Sequence, residues 1–195
     1  MRITRYKMYK SIFEALPLPL SGDILGISGL KFWTGSPNYI PPKKIITDSA
    51  HVVQTEFPGV NVCKLPYPNN TYDYVICDQV IEHVEGNVQT AVNEMRRVLK
   101  PKGIAIITTG FMYPIHYGPK DLWRFSKDGL CYLCSDFSEV IECGSWGNRL
   151  ALILFSLYRK FSDLEVPERK FSLTNYIATK NNEIYPLTTW IIIRK

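Results

Sequence analysis

Four residues that can hold a ligand or exchange a proton follow one apolar run: Asp78, Gln79, Glu82 and His83 come after Val75-Ile76-Cys77. A carboxylate accepts several hydrogen bonds at once and a histidine changes charge near neutral pH, so such a group suits the rim of a ligand pocket. The same residues are interleaved with Val80, Ile81 and Val84, which also fits the polar face of an ordinary helix. Three further places carry comparable chemistry. Gly26-Ile27-Ser28-Gly29 is a small-residue turn at which a ligand can approach the backbone. Asp48 lies 19 residues after Gly29, the spacing of an acid that accepts from both hydroxyls of a ribose. Glu56 takes that role if His51–Thr55, rather than Lys44–Thr47, is the second strand. Asn61 can offer its amide to an adenine amino group.

The elements that position these residues alternate. Arg2–Leu16 has Tyr6, Tyr9, Ile12, Phe13 and Leu16 near helical spacing, and Pro17 and Pro19 end it. Short extended pieces are expected at Ile24–Ile27, at Lys44–Thr47 or His51–Thr55, and at Val60–Cys63. Tyr74–Cys77 is a continuous apolar run, as in a parallel strand covered on both faces. Val88, Ala91, Val92, Met95, Val98 and Leu99 then fall at helical spacing, and Lys100-Pro101-Lys102-Gly103 stops that helix. Strands at Ile104–Thr109, Val140–Cys143 and Trp190–Ile193 alternate with helices at Ser126–Leu133 and Arg149–Phe161. This order predicts an α/β, Rossmann-like sheet, mostly parallel, with helices on both faces and right-handed crossovers. The chain reads as one domain over 1–195, a short N-terminal helix (1–16) followed by a core (20–195). Ligands of such sheets bind outside the carboxyl ends of the strands, where Gly26–Gly29, Asp48 or Glu56, Asn61 and Asp78-Gln79 are expected.

Composition narrows the classes. Hydrophobic residues make up 46% and charged residues 21%, an ordinary globular balance. The net charge of +5 is scattered, densest at Arg2, Arg5, Lys7 and Lys10 and at Arg159-Lys160. It favours an anionic small molecule or a membrane surface and falls short of a nucleic-acid-binding stripe. Five cysteines without a paired framework point to a reducing, cytoplasmic setting. Cys131-Tyr-Leu-Cys134 has no second ligand pair, so buried thiols are expected and no metal site. No signal peptide is apparent, and the apolar stretch Leu150–Tyr158 is too short to span a bilayer. It is core, a homodimer surface or a surface in peripheral contact with a membrane.

Three segments together resemble class I S-adenosylmethionine-dependent methyltransferases of the type 11 subgroup. They are Leu65-Pro66-Tyr67-Pro68-Asn69-Asn70-Thr71-Tyr72-Asp73, Gln79-Val80-Ile81-Glu82-His83-Val84, and Arg96-Arg97-Val98-Leu99-Lys100-Pro101-Lys102-Gly103. The likeness covers about residues 20–135. A fourth segment, from Tyr113 to Phe125, is similar to a stretch in methyltransferase-like proteins of glycan and cell-surface biosynthesis clusters. The resemblance implies a seven-stranded sheet whose last strand, Trp190–Lys195, is antiparallel, and S-adenosyl-L-methionine as cofactor. It implies cofactor contacts at Gly26, Ser28, Gly29, Asp48 or Glu56, Asn61, Asp78, Gln79 and His83. Gly26 stands where an Asp or Glu is usual and Ser28 replaces a glycine. The prolines at 37, 41 and 42 leave little room for the usual first helix.

The implied activity is methyl transfer to a hydroxyl of a small-molecule or glycan acceptor. A base must then take the hydroxyl proton, and His116 is the candidate, with Asp121 orienting it and Arg124 binding an anionic group of the acceptor. The altered glycine turn motivates a second reading, a binding or scaffold protein that keeps the fold without the chemistry. A short-chain dehydrogenase is disfavoured, because no Tyr-x-x-x-Lys pair lies in a suitable helix.

Overall fold

The computed structural model describes residues 1–30, 32–34, 45–116, 119–167 and 172–195. Six strands form one sheet: β1 (Asp23–Ile27), β2 (His51–Thr55), β3 (Tyr72–Asp78), β4 (Leu99–Gly110), β5 (Glu139–Trp146) and β6 (Thr188–Arg194). Their order is β2-β1-β3-β4-β6-β5. β1 to β4 pair in parallel, and β6 runs antiparallel to both β4 and β5. The Rossmann-like sheet with its antiparallel last strand is therefore present, with six strands among the described residues where seven were expected. The seventh, expected at Val60–Cys63, is a turn. Val60 N–H bonds back to Glu56 O at 3.1 Å, and the Asn61 side chain accepts from Cys63 N–H at 2.8 Å. These local bonds compete with any ladder. His51–Thr55 is the second strand. Ile46, in the alternative segment, makes only an isolated bridge to Leu20. The prolines at 37, 41 and 42 lie outside the described residues.

Five helices flank the sheet: α1 (Ile3–Ala15), α2 (Val88–Val98), α3 (Lys127–Leu133), α4 (Arg149–Leu157) and α5 (Leu173–Thr179). Successive side chains of a strand point to opposite faces, and β3 serves two cores in this way. Ile76 packs with Met8, Tyr9, Ile12, Phe155 and Ile177 of α1, α4 and α5. Val75 and Cys77 pack with Val92, Met95 and Leu130 of α2 and α3. Each fully buried aliphatic chain of this kind stabilises by roughly 1.5–3 kcal/mol, so the central strands are the rigid base of whatever sits at their ends.

The helix starts are set by side-chain caps. Asn87 accepts from Gln89 N–H at 2.9 Å, Ser126 from Gly129 N–H at 3.1 Å, and Asn148 from Ala151 N–H at 2.8 Å. α4 ends at Leu157 rather than Phe161, because Tyr158 turns to extended backbone (φ −136°, ψ 98°) and a 3-10 turn follows. α5, capped by Ser172, has no clear helical period in the sequence. The five cysteines are free, and burial pushes the Cys134 thiol up to about 12. Among the described residues no helix is long and apolar enough to cross a membrane.

Candidate functional site

The carboxyl ends of β1, β2 and β3 open into a cleft of about 370 Å³ lined by Ile27, Ser28, Thr55, Asn61, Gln79 and His83, with Val60, Val62 and Val84 as apolar wall. Two non-glycine residues leave the sheet there with positive φ, Ser28 at 70° and Gln79 at 58°. Such backbone is uncommon and needs support from its surroundings. Ser28 N–H donates to Thr55 Oγ1 at 3.3 Å. Gln79 N–H donates to Thr108 O at 3.0 Å, and its side-chain amide donates to Thr108 Oγ1 at 3.0 Å. Neighbouring strand ends thus hold both turns.

The two glycines of the first turn differ. A side chain at Gly29 would meet nothing within 4 Å, so a ligand can approach its backbone. A Cβ at Gly26 would lie 2.4 Å from Leu30 Cγ, so Gly26 makes room for a buried leucine and not for a ligand. Glu56 is exposed and directly follows Thr55 at the carboxyl end of β2. Asp48 precedes β2 and sits at the opposite, amino end of the sheet, near the end where Asp23 pairs with His51 and Lys100. The parallel direction of β2 thereby removes Asp48 from this cleft.

Asp78 also departs from expectation. Its carboxylate is buried and points to the α1 face, where it accepts from the Tyr9 hydroxyl, from Trp33 Nε1 at 3.3 Å and from Thr108 Oγ1 at 2.6 Å. The group braces the end of β3 and is not presented to the cleft. These partners raise the pKa of Arg5 as well, the Tyr9 hydroxyl and Asp78 outweighing the opposing effect of burial.

A second, wider cleft of about 640 Å³ lies beside the first, between the segment after β4 and helix α4. Phe111, Met112, Tyr113, Leu152 and Phe155 make it mostly apolar. The segment is tied by one ion pair. Asp121, whose side chain has no exposed surface, receives two hydrogen bonds from Arg124 and one from His116 N–H at 3.0 Å. The Arg124 guanidinium holds the Asp121 carboxyl well below the usual carboxylate range. Arg124 also donates to Trp123 O at 2.8 Å and Tyr113 O at 3.3 Å. Both terminal nitrogens are used within the loop, so Arg124 acts as a clamp on Asp121.

His116 Nδ1 lies 3.1 Å from Asp121 Oδ2. Burial lowers the pKa of the ring, with Asp121 pulling in the opposite direction; the neutral, proton-accepting form is favoured. Its ring stands edge-on to His83, centroids 4.8 Å apart, and to Tyr113 at 5.7 Å. His83 donates from Nδ1–H to Lys120 O at 2.9 Å and lines the first cleft. His116 thus stands between His83 of the first cleft and Tyr113 of the second.

Glu82, one of the four polar residues after β3, has a buried environment that the sequence does not show. It is fully buried, accepts from Thr109 Oγ1 at 3.0 Å, and has Oε1 without a hydrogen-bond partner. Burial raises its pKa. Its backbone carbonyl accepts from Leu122 N–H at 2.8 Å and Trp123 N–H at 3.1 Å, which docks the loop after β4 onto the end of β3. One ligating atom each from Glu82, His83 and His116 falls within 4.8 Å of the others, a spacing that would admit a cation. The only sequence sign of this role is an acid placed between apolar Ile81 and Val84.

Comparison with known proteins agrees with this fold. Residues 42–107 match a family model described as a methyltransferase domain, Methyltransf_11. The ubiquinone biosynthesis O-methyltransferase of Rickettsia canadensis is 56% identical over 41 residues, 21% of this chain and 17% of that protein. The curated relatives matched share only 15–20% of their own length with this chain. Among solved structures, a chain from the complex of the Haloferax volcanii Trm112 methyltransferase activator superposes with a TM-score of 0.59 at 12% identity, covering 97% of this chain and 89% of that one. The phosphoethanolamine N-methyltransferase 2 of Haemonchus contortus, in complex with S-adenosyl-L-methionine, gives 0.56 at 15% identity over 97% of this chain and 52% of its own. The fold is that of a class I methyltransferase. The particular likeness within that class is to the type 11 methyltransferase domain, whose cofactor is S-adenosylmethionine.

Proposed function

We propose that this protein transfers a methyl group from S-adenosylmethionine to a hydroxyl of a small-molecule or glycan acceptor. One observation carries the reading: His116 packs on His83 of the cleft at the ends of β1–β3 and on Tyr113 of the apolar cleft under α4. When bound, the cofactor supplies an electrophilic methyl group on a sulfonium.

The residues of the first cleft suit that molecule. Glu56 provides an exposed carboxylate for ribose hydroxyls, Asn61 an amide and Val60, Val62 and Val84 an apolar wall for a base, and Ser28-Gly29 and Gln79 approachable backbone. Beside the second cleft His116, kept neutral by burial, takes the hydroxyl proton of the acceptor. Asp121 holds the His116 backbone N–H and Arg124 fixes Asp121. Tyr113, Phe155 and Leu152 exclude water around the acceptor. General-base assistance of this kind is worth about 10²–10⁴-fold in rate, and fixing the acceptor near the donor supplies the remainder.

Two features favour the second reading, a scaffold that has lost the chemistry. Leu30 fills the space at Gly26, and Asp78 is spent on Tyr9, Trp33 and Thr108. Isothermal titration with S-adenosylmethionine and S-adenosylhomocysteine separates the two. Micromolar binding, followed by label transfer to a panel of phenols and sugars, supports the enzyme. A folded sample that binds neither compound supports the scaffold.

A further inference from the structure

Helix α4 has two working sides. Leu152, Phe155 and Ser156 line the second cleft. The neighbouring side exposes Leu150 (42%), Ile153 (47%), Leu157 (80%) and Tyr158 (54%), residues that recur at helical spacing. α5 packs against α4 and adds Leu173 (69%) and Tyr176 (56%). A contiguous apolar patch of this kind on a monomer marks an interaction surface.

Its charges are one-sided. No Asp or Glu occurs between positions 148 and 162, or between 172 and 182. The cations there are Arg149, which stacks on Tyr185, Lys180, which sits over the Tyr176 ring, exposed Lys160, and Arg159 in sequence. The acids that follow the two stretches are each paired elsewhere, Asp163 with Arg2 and Glu183 with Lys127. An apolar side with tyrosines at its margin and lysines around it suits the boundary between headgroups and acyl chains of an anionic bilayer. The same charge pattern disfavours a second copy of the chain, because a two-fold contact brings each patch against itself and sets cation against cation.

We propose that the α4–α5 face docks on an anionic lipid surface. The rim of the second cleft is continuous with this face. Ile115 (65% exposed) and Leu122 (46% exposed) line the cleft from the opposite side, so a docked molecule would present the cleft mouth to the lipid. This docking does not require methyl transfer.

The test is co-sedimentation of the full chain with vesicles of phosphatidylcholine alone and of phosphatidylcholine with about one-third phosphatidylglycerol. Binding is expected on the anionic vesicles, weakening with added salt. Lys160→Glu should weaken it at least about fivefold, and Ile153→Glu with Leu157→Glu at least tenfold. Tyr132→Glu, at an exposed site (84%) on α3 across the sheet, should bind as the unaltered protein does. Melting temperatures confirm that each variant folds, and cofactor titration reports separately on the first cleft. Absence of vesicle binding overturns the proposal, as does equal binding by the Ile153/Leu157 variant. A dimer in light scattering that Leu157→Glu dissociates also overturns it and assigns the face to self-association.

Discussion

The two clefts sit side by side yet are built from different materials. The first is backbone. Its contacts come from the ends of β1, β2 and β3, and its turns at Ser28 and Gln79 are held by Thr55 and Thr108 of the adjoining strands. The second is side chain, and its loop is docked on Glu82 and Val84 carbonyls and knotted internally by Asp121 and Arg124 with carbonyls at 113 and 123. Backbone at strand ends is fixed by the sheet that the core already stabilises, so it tolerates substitution. The internal shape of the loop rests on the ion pair and keeps only while both partners remain. The lesson is that cofactor binding and acceptor positioning should fail separately.

The sharpest break is expected at His116. His116→Ala should lower turnover by about 10²–10⁴-fold and leave cofactor affinity unchanged by titration. Parallel loss of both would mean that His116 belongs to the cofactor cleft. Because burial lowers the pKa of His116, the acid limb of the rate profile should fall below the ordinary histidine value of about 6.5. A limb above that value would remove His116 as the base.

Next comes the knot. Asp121→Ala leaves Arg124 without its partner and should destabilise the fold by about 3 kcal/mol in denaturant unfolding, with loss of turnover and little change in cofactor affinity. The folded-state pKa of Asp121 is depressed. Its stabilisation is therefore present above the ordinary carboxylate value of about 3.9 and is lost as pH falls through and below it. A variant lacking the group should show a flatter acid limb in stability.

A smaller effect, confined to the first cleft, distinguishes its acids. Glu56→Ala should weaken S-adenosylmethionine by about 10- to 150-fold, the loss of charge-assisted hydrogen bonds. Asp48→Ala should not change it, since Asp48 lies at the other end of the sheet. Reversed results would mean that the ribose acid reaches the cleft from another direction. The smallest effect is expected at Tyr9→Phe. Removing one buried hydrogen bond to Asp78 should cost about 1–3 kcal/mol of stability and shift cofactor affinity less than threefold. A shift as large as that of Glu56→Ala would place α1 inside the cofactor site.

The central strands and α2 were legible because a parallel strand buried on both faces reads as an unbroken apolar run, and an amphipathic helix as a 3.6-residue period. The second strand was ambiguous because β2 is an edge strand with exposed His51 and Gln54, so its pattern is diluted. The residues expected from the family spacing include Ser28, Asn61, Gln79 and His83, which line one cleft, but that spacing could not show which way a carboxylate points. Asp78 turns to Tyr9, 69 residues away, and Arg124 is consumed partly by backbone carbonyls. Neither partner leaves a mark on local sequence. Glu82 was unreadable for the same reason: its burial depends on the loop carrying Leu122 and Trp123, which folds over it.

The contact between Gly26 and Leu30 sets an order on how this chain can change. A carboxylate at position 26, where related enzymes usually have one, cannot be added first, because its Cβ would overlap Leu30 Cγ at 2.4 Å. Shortening Leu30 alone empties a fully packed site and is itself costly. Each single step is therefore disfavoured while the pair together is acceptable, so descent or directed selection would reach that state only by accepting a weakened intermediate or by changing both codons at once.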